Sequence, residues 1–273
     1  MYLKKIRDSY LKKGYTMANC LAKICQDILL YKISKTTFNK HITIKGGVVM
    51  HNISGDKRRA TRDIDIDFIK YSLDDDCIIE FINKLNMIDD GIKILIEGKI
   101  KELKHQDYSG KRVNIKLIDK NNFSVSTKLD IGVHKQFLIE QDEFCFNFEA
   151  INDSALLLIN SKEQIIAEKL KSLLKIGIIS TRYKDIFDFY YLINETKINI
   201  NKLLKIIDII ILDNDNMSEN NYEEVLNHLQ LILNSKKFRK HLDDVKNNWI
   251  NIPSEKVIDN VIDFFENLIK IKI

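Results

Sequence analysis

Three aspartates alternate with apolar residues in one short segment of this 273-residue chain. Asp63, Asp65 and Asp67 are separated by single isoleucines. Because successive side chains of a β-strand point to opposite faces, the segment predicts one packed face and one face that carries three carboxylates. Carboxylates this close repel each other unless a cation neutralises them, and hard oxygen ligands suit Mg²⁺ or Mn²⁺. The alternative is a solvated sheet face on which the aspartates pair with arginines of the preceding loop.

A glycine pair stands upstream of these aspartates. Gly46 and Gly47 follow Lys45 at the end of a short strand pattern, and glycine lets backbone amides approach a phosphate closely. A glycine pair followed by an acidic strand is the order expected of a metal-dependent nucleotidyl-transfer site. The basic loop between them, Lys57 to Arg59, is either a clamp for a triphosphate or an RNA acceptor, or a solvated turn.

A later alternating segment, Phe123 to His134, supplies another carboxylate. Asp130 falls on the polar side of this predicted strand. If the two strands are neighbours, Asp130 joins Asp63 and Asp65, and three carboxylates from two strands can hold two metal ions; the alternative is an ordinary exposed strand residue. Asp119 and Glu97 are weaker candidates for the third ligand because both border turn-like residues.

Two helical segments further along carry a second group of charges. Lys169 lies at the border of a buried helical stripe, where a lysine can reach inward. The next helix opens after two capping residues and places Arg182, Asp185 and Asp188 on neighbouring ridges. The alternative is a set of structural ion pairs within and between these helices.

The elements that must position these residues indicate an α+β chain. Residues 1–153 mix helices, at about Thr16 to Tyr31 and Leu73 to Ile88, with several mostly antiparallel strands between Ile92 and His134. Residues 154–273 read as a C-terminal α-helical bundle. Its helices are predicted at Lys162–Lys175, Arg182–Asn194, Lys202–Leu212, Tyr222–Leu242 and Glu255–Ile271. The boundary is predicted between residues 153 and 154.

Composition restricts the class of protein without selecting a function. A net charge of +4 permits a nucleic-acid partner but does not demand one. The four cysteines show no zinc-binding spacing, and we expect them to be reduced and mostly buried. Because no apolar stretch approaches the roughly 18 residues that a membrane span requires, we expect a soluble cytoplasmic protein with no membrane partner.

In four motifs, taken in order, the sequence resembles the AbiEii/AbiGii-type nucleotidyltransferase toxins of the DNA polymerase β-like nucleotidyltransferase superfamily. The motifs are Lys45-Gly46-Gly47 with Thr61-x-Asp63-Ile64-Asp65, then Lys128-Leu129-Asp130, then Glu163 with Ala167-Glu168-Lys169-Leu170, then Arg182-Tyr183-Lys184-Asp185-Ile186-Phe187-Asp188. The resemblance implies a nucleotidyltransferase-type mixed sheet with flanking helices, followed by a helical domain that completes the active site.

The resemblance also implies roles for individual residues. Asp63, Asp65 and Asp130 would bind Mg²⁺ or Mn²⁺, and Lys169 and Asp185 would be active-site residues, with Lys169 on the nucleotide phosphates. The set expected to bind the nucleotide is Lys45, Gly46, Gly47, Arg59, Thr61 and Lys169. By the same analogy Asp67 is a bystander.

The implied reaction moves a nucleoside monophosphate from an NTP to an acceptor, with the 3′ end of tRNA as the expected acceptor and a cognate antitoxin as partner, in a toxin–antitoxin or phage-defence system. Lys236, Lys237 and Arg239, and Lys246 with Trp249, offer a surface for RNA, or else a charged outer helix face. Two other functions stay open. One is transfer to a protein or small molecule, and the other is a non-catalytic nucleotide-binding or partner-binding module.

Overall fold

The computed structural model of the chain describes residues 1–103, 110–136, 138–149, 151–244 and 246–272. They form two compact units, Met1–Asn160 and Ser161–Ile273. The first unit combines helices with one mixed sheet, and the second consists of helices. The predicted α+β class is confirmed.

The first unit is built on an eight-stranded sheet. Its strands are β1 (Ile42–Lys45), β2 (Ile64–Phe68), β3 (Ile92–Ile96), β4 (Lys101–Leu103), β5 (Gly110–Asp119), β6 (Ser124–Val133), β7 (Asp142–Phe148) and β8 (Asp153–Ile159). Their order is β3-β5-β6-β2-β1-β8-β7, and β4 also pairs with β5. The β2–β6 and β1–β8 pairs are parallel and the other five described pairs are antiparallel. The sheet is thus mostly antiparallel, as expected, with its parallel pairs near the centre.

Helices of the first unit cover this sheet. They are α1 (Leu3–Lys12), α2 (Met17–Ser34), α3 (Gly46–Ser54) and α4 (Asp75–Asn86). The Thr16 hydroxyl accepts a hydrogen bond from the backbone N–H of Asn19 and so caps α2, which packs against β6 and β8. Ile64, Ile66 and Phe68 of β2 are fully buried. The predicted alternation is thus seen in β2, whose apolar residues anchor the strand in the core while its aspartates project from the other face.

Three elements of the first unit were not predicted. Helix α1 precedes the first predicted helix, and β7 and β8 form an antiparallel pair before the helical half. The helical pattern expected from about Ser154 begins at Lys162, because the apolar run Leu156 to Ile159 belongs to β8. A short apolar run fits a buried strand as well as a helix, so periodicity alone does not separate them.

The second unit contains six α-helices in its described residues. They are α5 (Lys162–Ile176), α6 (Tyr183–Glu195), α7 (Ile200–Ile207), α8 (Tyr222–Leu233), α9 (Lys236–Leu242) and α10 (Ser254–Lys272). A π-helical segment, Asp208–Leu212, extends α7. The single helix predicted over Tyr222–Leu242 is broken between α8 and α9, where Arg239 donates hydrogen bonds to the Leu233 carbonyl and the Asn234 side chain at the end of α8.

Among the helices that the structure describes, none has both the length and the apolar composition needed to cross a bilayer.

Candidate active site

Four charged residues lie side by side across the central strands of the first unit. The strand registers pair Lys45 with Asp65, Asp65 with Asp130, and Asp130 with Arg112. Directly paired residues of neighbouring strands project from the same face of a sheet. We call Lys45, Asp65, Asp130 and Arg112 the charged row. It brings together Lys45, Asp65 and Asp130, which were all named from the sequence, and it adds Arg112.

Sequence reasoning missed Arg112, although a weak signal was present. Arg112 occupies the polar side of β5, which alternates with the buried residues Val113, Ile115 and Leu117. That pattern places Arg112 on a polar face but says nothing about the strand beside it. Only the register of β5 against β6 sets Arg112 opposite Asp130.

Two further aspartates flank the charged row. Asp63 lies in a bend immediately before β2, and Asp67 lies two residues after Asp65 on the same face. The Lys45 ammonium is 2.6 Å from Oδ1 of Asp67, which is buried. Asp67 is therefore the ion-pair partner of a predicted nucleotide-binding residue.

The glycine pair lies directly against this acidic strand. Gly46 has a φ of +66°, and a Cβ added there would lie 2.4 Å from Oδ2 of Asp65. A Cβ on Gly47 would lie 2.7 Å from Cβ of Thr61, whose carbonyl accepts a hydrogen bond from Gln26 at 2.8 Å. No side chain fits at either glycine unless these neighbours move, so the fold places the backbone of the glycine pair against Asp65 and Thr61.

Helix α3 begins at the glycine pair. The first backbone N–H groups of a helix have no partner within the helix, and they form the positive end of its dipole. Helix α3 follows β1 directly, and Gly46, its first residue, lies against the Asp65 carboxylate. Free amides and a positive helix end are suited to bind an anionic phosphate.

The electrostatics of β2 are dominated by crowded carboxylates. The pKa of Asp65 is raised to about 6, chiefly by burial; Lys45 opposes this rise, and the nearby carboxylates Asp130, Asp63 and Asp67 contribute to it. A negative charge on Asp65 is therefore costly in the protein alone. An added cation would relieve that cost.

Arg112 holds the other carboxylate of the charged row. Its Nε donates to Oδ1 of Asp130 at 2.7 Å and its Nη2 donates to Oδ2 at 2.6 Å. This hydrogen-bonded pairing raises the pKa of the Arg112 guanidinium. The planar Arg112 guanidinium thus binds both Asp130 oxygens in a bidentate contact.

The donor set fits a hard divalent cation in type and register. Asp65 and Asp130 are directly paired on adjacent strands, and Asp63 lies next to the start of β2. However, no three His, Cys, Asp or Glu side chains of the described residues converge as a preformed metal site. Asp130 is instead held by its bidentate contact with Arg112.

The basic loop is held by contacts within the first unit. Arg58 pairs with Asp56 at 2.7 Å, Lys57 donates to the Lys13 carbonyl, and Arg59 is 5% exposed in a 3₁₀ turn. Of the alternatives left open by the sequence, a freely solvated turn therefore does not describe Arg59.

His51 of α3 is buried next to this loop. Its Nδ1 lies 3.0 Å from the Asp56 carbonyl, and its Nε2 lies 3.4 Å from the Tyr15 hydroxyl. The pKa of His51 is lowered to about 4, chiefly by burial; the positive charges of Lys23 and Arg59 contribute to this shift and Asp56 opposes it. His51 is thus neutral in the folded protein near pH 7.

The second unit brings its two predicted site residues together. Lys169 of α5 contacts Asp185 of α6, and its Nζ lies 2.9 Å from Oδ2 of Asp188. Arg182 Nη1 is 3.5 Å from Asp185, and the Trp249 indole donates to Asp188 at 3.1 Å. We call Lys169, Arg182, Asp185, Asp188 and Trp249 the helical cluster. These contacts match the alternative interpretation of the sequence, in which the charges form structural ion pairs within and between the helices.

Part of the predicted RNA surface requires correction. Trp249 is 2% exposed and its indole N–H bonds Asp188, so it is a core residue and cannot stack on an RNA base. Arg239 holds the end of α8, whereas Lys236 and Lys237 are exposed. An indole supplies a large apolar surface and one N–H donor, which suits burial beside a carboxylate.

The two weaker metal candidates lie outside the charged row. The Asp119 carboxylate accepts hydrogen bonds from the backbone N–H groups of Leu3, Asn121 and Phe123. Glu97 lies 3.3 Å from Lys116. Asp119 therefore connects the start of α1 to the turn after β5.

Comparison with known families agrees with the motifs on which the resemblance rests. The model of the nucleotidyl transferase AbiEii toxins of type IV toxin–antitoxin systems matches residues 28–257. That span includes every predicted site residue of both units. No match was found among curated proteins. On the family match over most of its length, the chain belongs to the AbiEii family of nucleotidyl transferase toxins.

Proposed function

We propose that this protein transfers a nucleoside monophosphate from an NTP to an acceptor and releases pyrophosphate. The observation that carries the proposal is the position of the charged row beside the glycine pair at the start of α3. Phosphate-binding amides and clustered carboxylates are thereby adjacent, which is what phosphoryl-group chemistry requires.

In this proposal the glycine pair binds the triphosphate. The first amides of α3 donate to phosphate oxygens, and Lys45 lies within the charged row, where its ammonium can balance phosphate charge. Thr61 lies against Gly47, so its hydroxyl is next to the same backbone. Arg59, buried in the adjacent turn, adds positive charge near His51.

Asp63, Asp65 and Asp130 would hold Mg²⁺ or Mn²⁺. When bound, such an ion neutralises charge on the triphosphate and lowers the pKa of the acceptor hydroxyl. The chain itself supplies the oxygens, orients them through the β2–β6 register, and buries the apolar side of β2 so that the strand stays in place. The unfavourable charge on Asp65 supports this assignment, because crowded carboxylates gain from a cation.

Lys169 and Asp185 are proposed as further active-site residues. Lys169 already binds two carboxylates, so a phosphate would compete with Asp185 and Asp188 for its ammonium. Asp185 then has two roles to distinguish: holding Lys169, and contacting substrate.

We propose the 3′ end of tRNA as the acceptor and the cytoplasm as the place of action. Lys236 and Lys237, both exposed, are the candidates for contact with the RNA backbone. Membership of a toxin–antitoxin family implies an antitoxin partner, and phage defence is the biological role that we infer for the pair.

The test is transfer of label from each NTP, with Mg²⁺ and total bacterial RNA. Label in tRNA that is lost in Asp65→Asn and kept in Asp75→Asn supports the proposal; Asp75 is an exposed aspartate of α4 that pairs with Lys111. Label in protein or in a small molecule would instead support the second acceptor class. Absence of label with every NTP, together with unchanged toxicity of Asp65→Asn, would favour a non-catalytic module.

The RNA surface has its own test. Charge reversal at Lys236 and Lys237 should weaken modification of RNA and leave NTP binding intact. Unchanged RNA modification would remove this surface from the proposal.

A further inference from the structure

The contact between Arg112 and Asp130 occupies the carboxylate that the proposed metal site needs most. Asp130 is directly opposite Asp65 on one side and directly opposite Arg112 on the other. Its two oxygens lie 2.7 Å and 2.6 Å from two guanidinium nitrogens. Each carboxylate oxygen of Asp130 therefore accepts one charge-assisted hydrogen bond from the arginine.

The charge balance around the row explains why such a partner is present. Lys45 is paired with Asp67, and Arg112 is paired with Asp130, within a group that also contains Asp63 and Asp65. Without the guanidinium, Asp130, which is 8% exposed, would add a second unneutralised charge beside Asp65. Buried carboxylates at this spacing are strongly destabilising unless they are neutralised.

The Arg112 side chain also has room to move away from Asp130. Its side chain is 34% exposed, against 11% for that of Asp130, so the guanidinium borders solvent while the carboxylate does not. An arginine head group on a flexible stem regains hydration when it moves into water, and a cation bound at Asp130 would replace its charge, whereas Asp130 is fixed by the strand that carries it.

We propose that Arg112 is a positioning residue that competes with the divalent cation for Asp130. In the metal-free protein Arg112 neutralises Asp130 and engages both of its oxygens. When the cation binds, Asp130 exchanges the guanidinium for the metal. This inference rests on the proposed metal site, and it adds that the Arg112 guanidinium sets the affinity of that site for the divalent cation.

The experiment measures Mn²⁺ binding to the full chain by titration calorimetry, together with thermal unfolding in EDTA and in Mn²⁺. The test variant is Arg112→Gln. The matched control is Lys116→Gln, which removes one positive charge from the same face of the same strand, four residues along, where Lys116 pairs with Glu97. Comparison with this control separates competition at Asp130 from the general loss of positive charge.

We expect Arg112→Gln to bind Mn²⁺ roughly fivefold or more tightly than Lys116→Gln, because a bidentate charged partner no longer competes. In EDTA, Arg112→Gln should unfold at a lower temperature than Lys116→Gln, and Mn²⁺ should restore more of its stability than it adds to the control. If Arg112→Gln does not fold in EDTA, Arg112→Lys replaces it. Lysine keeps the positive charge but cannot make the bidentate contact with Asp130. The Mn²⁺ affinity of Arg112→Lys should therefore exceed that of the parent by roughly twofold.

Two results would overturn the inference, and they differ from each other. Equal Mn²⁺ affinities of Arg112→Gln and Lys116→Gln, or weaker Mn²⁺ binding to Arg112→Gln, would show that Arg112 does not compete for Asp130. If Mn²⁺ binding is nevertheless lost in Asp65→Asn, the proposed metal site itself still stands. Absence of Mn²⁺ binding in the parent, or binding that Asp65→Asn does not change, would instead remove the metal site and the inference with it.

Discussion

The charged row of the first unit, taken with the flanking Asp63 and Asp67, carries an excess of negative charge, whereas the charges of the helical cluster in the second unit balance. Around the row, Lys45 and Arg112 face Asp63, Asp65, Asp67 and Asp130, so two positive and four negative groups give a net charge of −2. In the cluster, Lys169 and Arg182 face Asp185 and Asp188, so two positive and two negative groups give zero. Counted over these named residues, the helical cluster is balanced and the group around the charged row has excess negative charge.

This difference separates two physical roles. A buried, balanced ion network holds elements together, and each member that is removed leaves a partner without its counter-charge. In a buried group with excess negative charge, the carboxylates repel each other and destabilise the fold, and a bound cation reduces that repulsion. Removing an aspartate should therefore have opposite effects on stability in the two units.

The largest effect is expected in the helical cluster. Asp188 is fully buried and accepts from both Lys169 and Trp249. Asp188→Asn should lower the free energy of unfolding by about 3 kcal/mol, because Lys169 loses a carboxylate partner in a buried site. Urea unfolding monitored by circular dichroism measures this change. Glu195→Gln, at an exposed site on the same helix, is the control, and an equally small effect in both variants would refute a stabilising role for the cluster.

The next effect concerns the glycine that allows the row to form. Gly46→Ala combines a positive φ with a Cβ only 2.4 Å from Asp65 Oδ2, and it should cost about 2.5 kcal/mol. Gly55→Ala is a matched control, since its φ is +64° but nothing lies within 4 Å of the added Cβ. This control should cost about 1 kcal/mol. Equal losses of stability would mean that the contact with Asp65 does not constrain residue 46.

A change of opposite sign is expected at Asp65. Its pKa is raised to about 6 in the folded protein, above the ordinary carboxyl value of 3.8. A raised pKa contributes stability below the unfolded-state pKa that is lost as pH rises through about 6, so ionised Asp65 destabilises the fold at pH 7.5. Asp65→Asn should therefore raise the free energy of unfolding in EDTA by about 2 kcal/mol. If Asp65→Asn instead lowers the free energy of unfolding, as expected for Asp188→Asn, the proposed difference between the two units is wrong.

The smallest effect is a pH dependence in the first unit. The pKa of His51 is lowered to about 4 from 6.5, so its contribution to stability is present above pH 6.5 and is lost as pH falls toward 4. Between pH 7.5 and 5.5 the parent should lose about 1.3 kcal/mol more than His51→Gln, which cannot gain a proton. Urea unfolding at both pH values measures this difference. His41→Gln, at an exposed histidine of the same unit, should follow the parent, and a parallel loss in His51→Gln would exclude His51 as the origin.

The sequence predicted local features well where one periodic pattern dominated. The strand around Asp65 and the helices carrying Lys169 and Asp185 were predicted because apolar residues repeat with a clear period. The run Leu156 to Ile159 was assigned to the helical half, since a short apolar run satisfies both patterns. Trp249 was placed on the surface because its burial depends on Asp188, which is distant in sequence.

By itself, the sequence determined the residue types of the site, their order and the family to which they belong. The carboxylates, the glycine pair and the lysine helix are local patterns, and a local pattern is fixed by the chain. Only the tertiary structure decided that Asp130 stands between Asp65 and Arg112, that Lys45 pairs with Asp67, and that Gly46 touches Asp65. Strand order and register are set by packing between distant segments, so the neighbours of each charge cannot be read from its own strand.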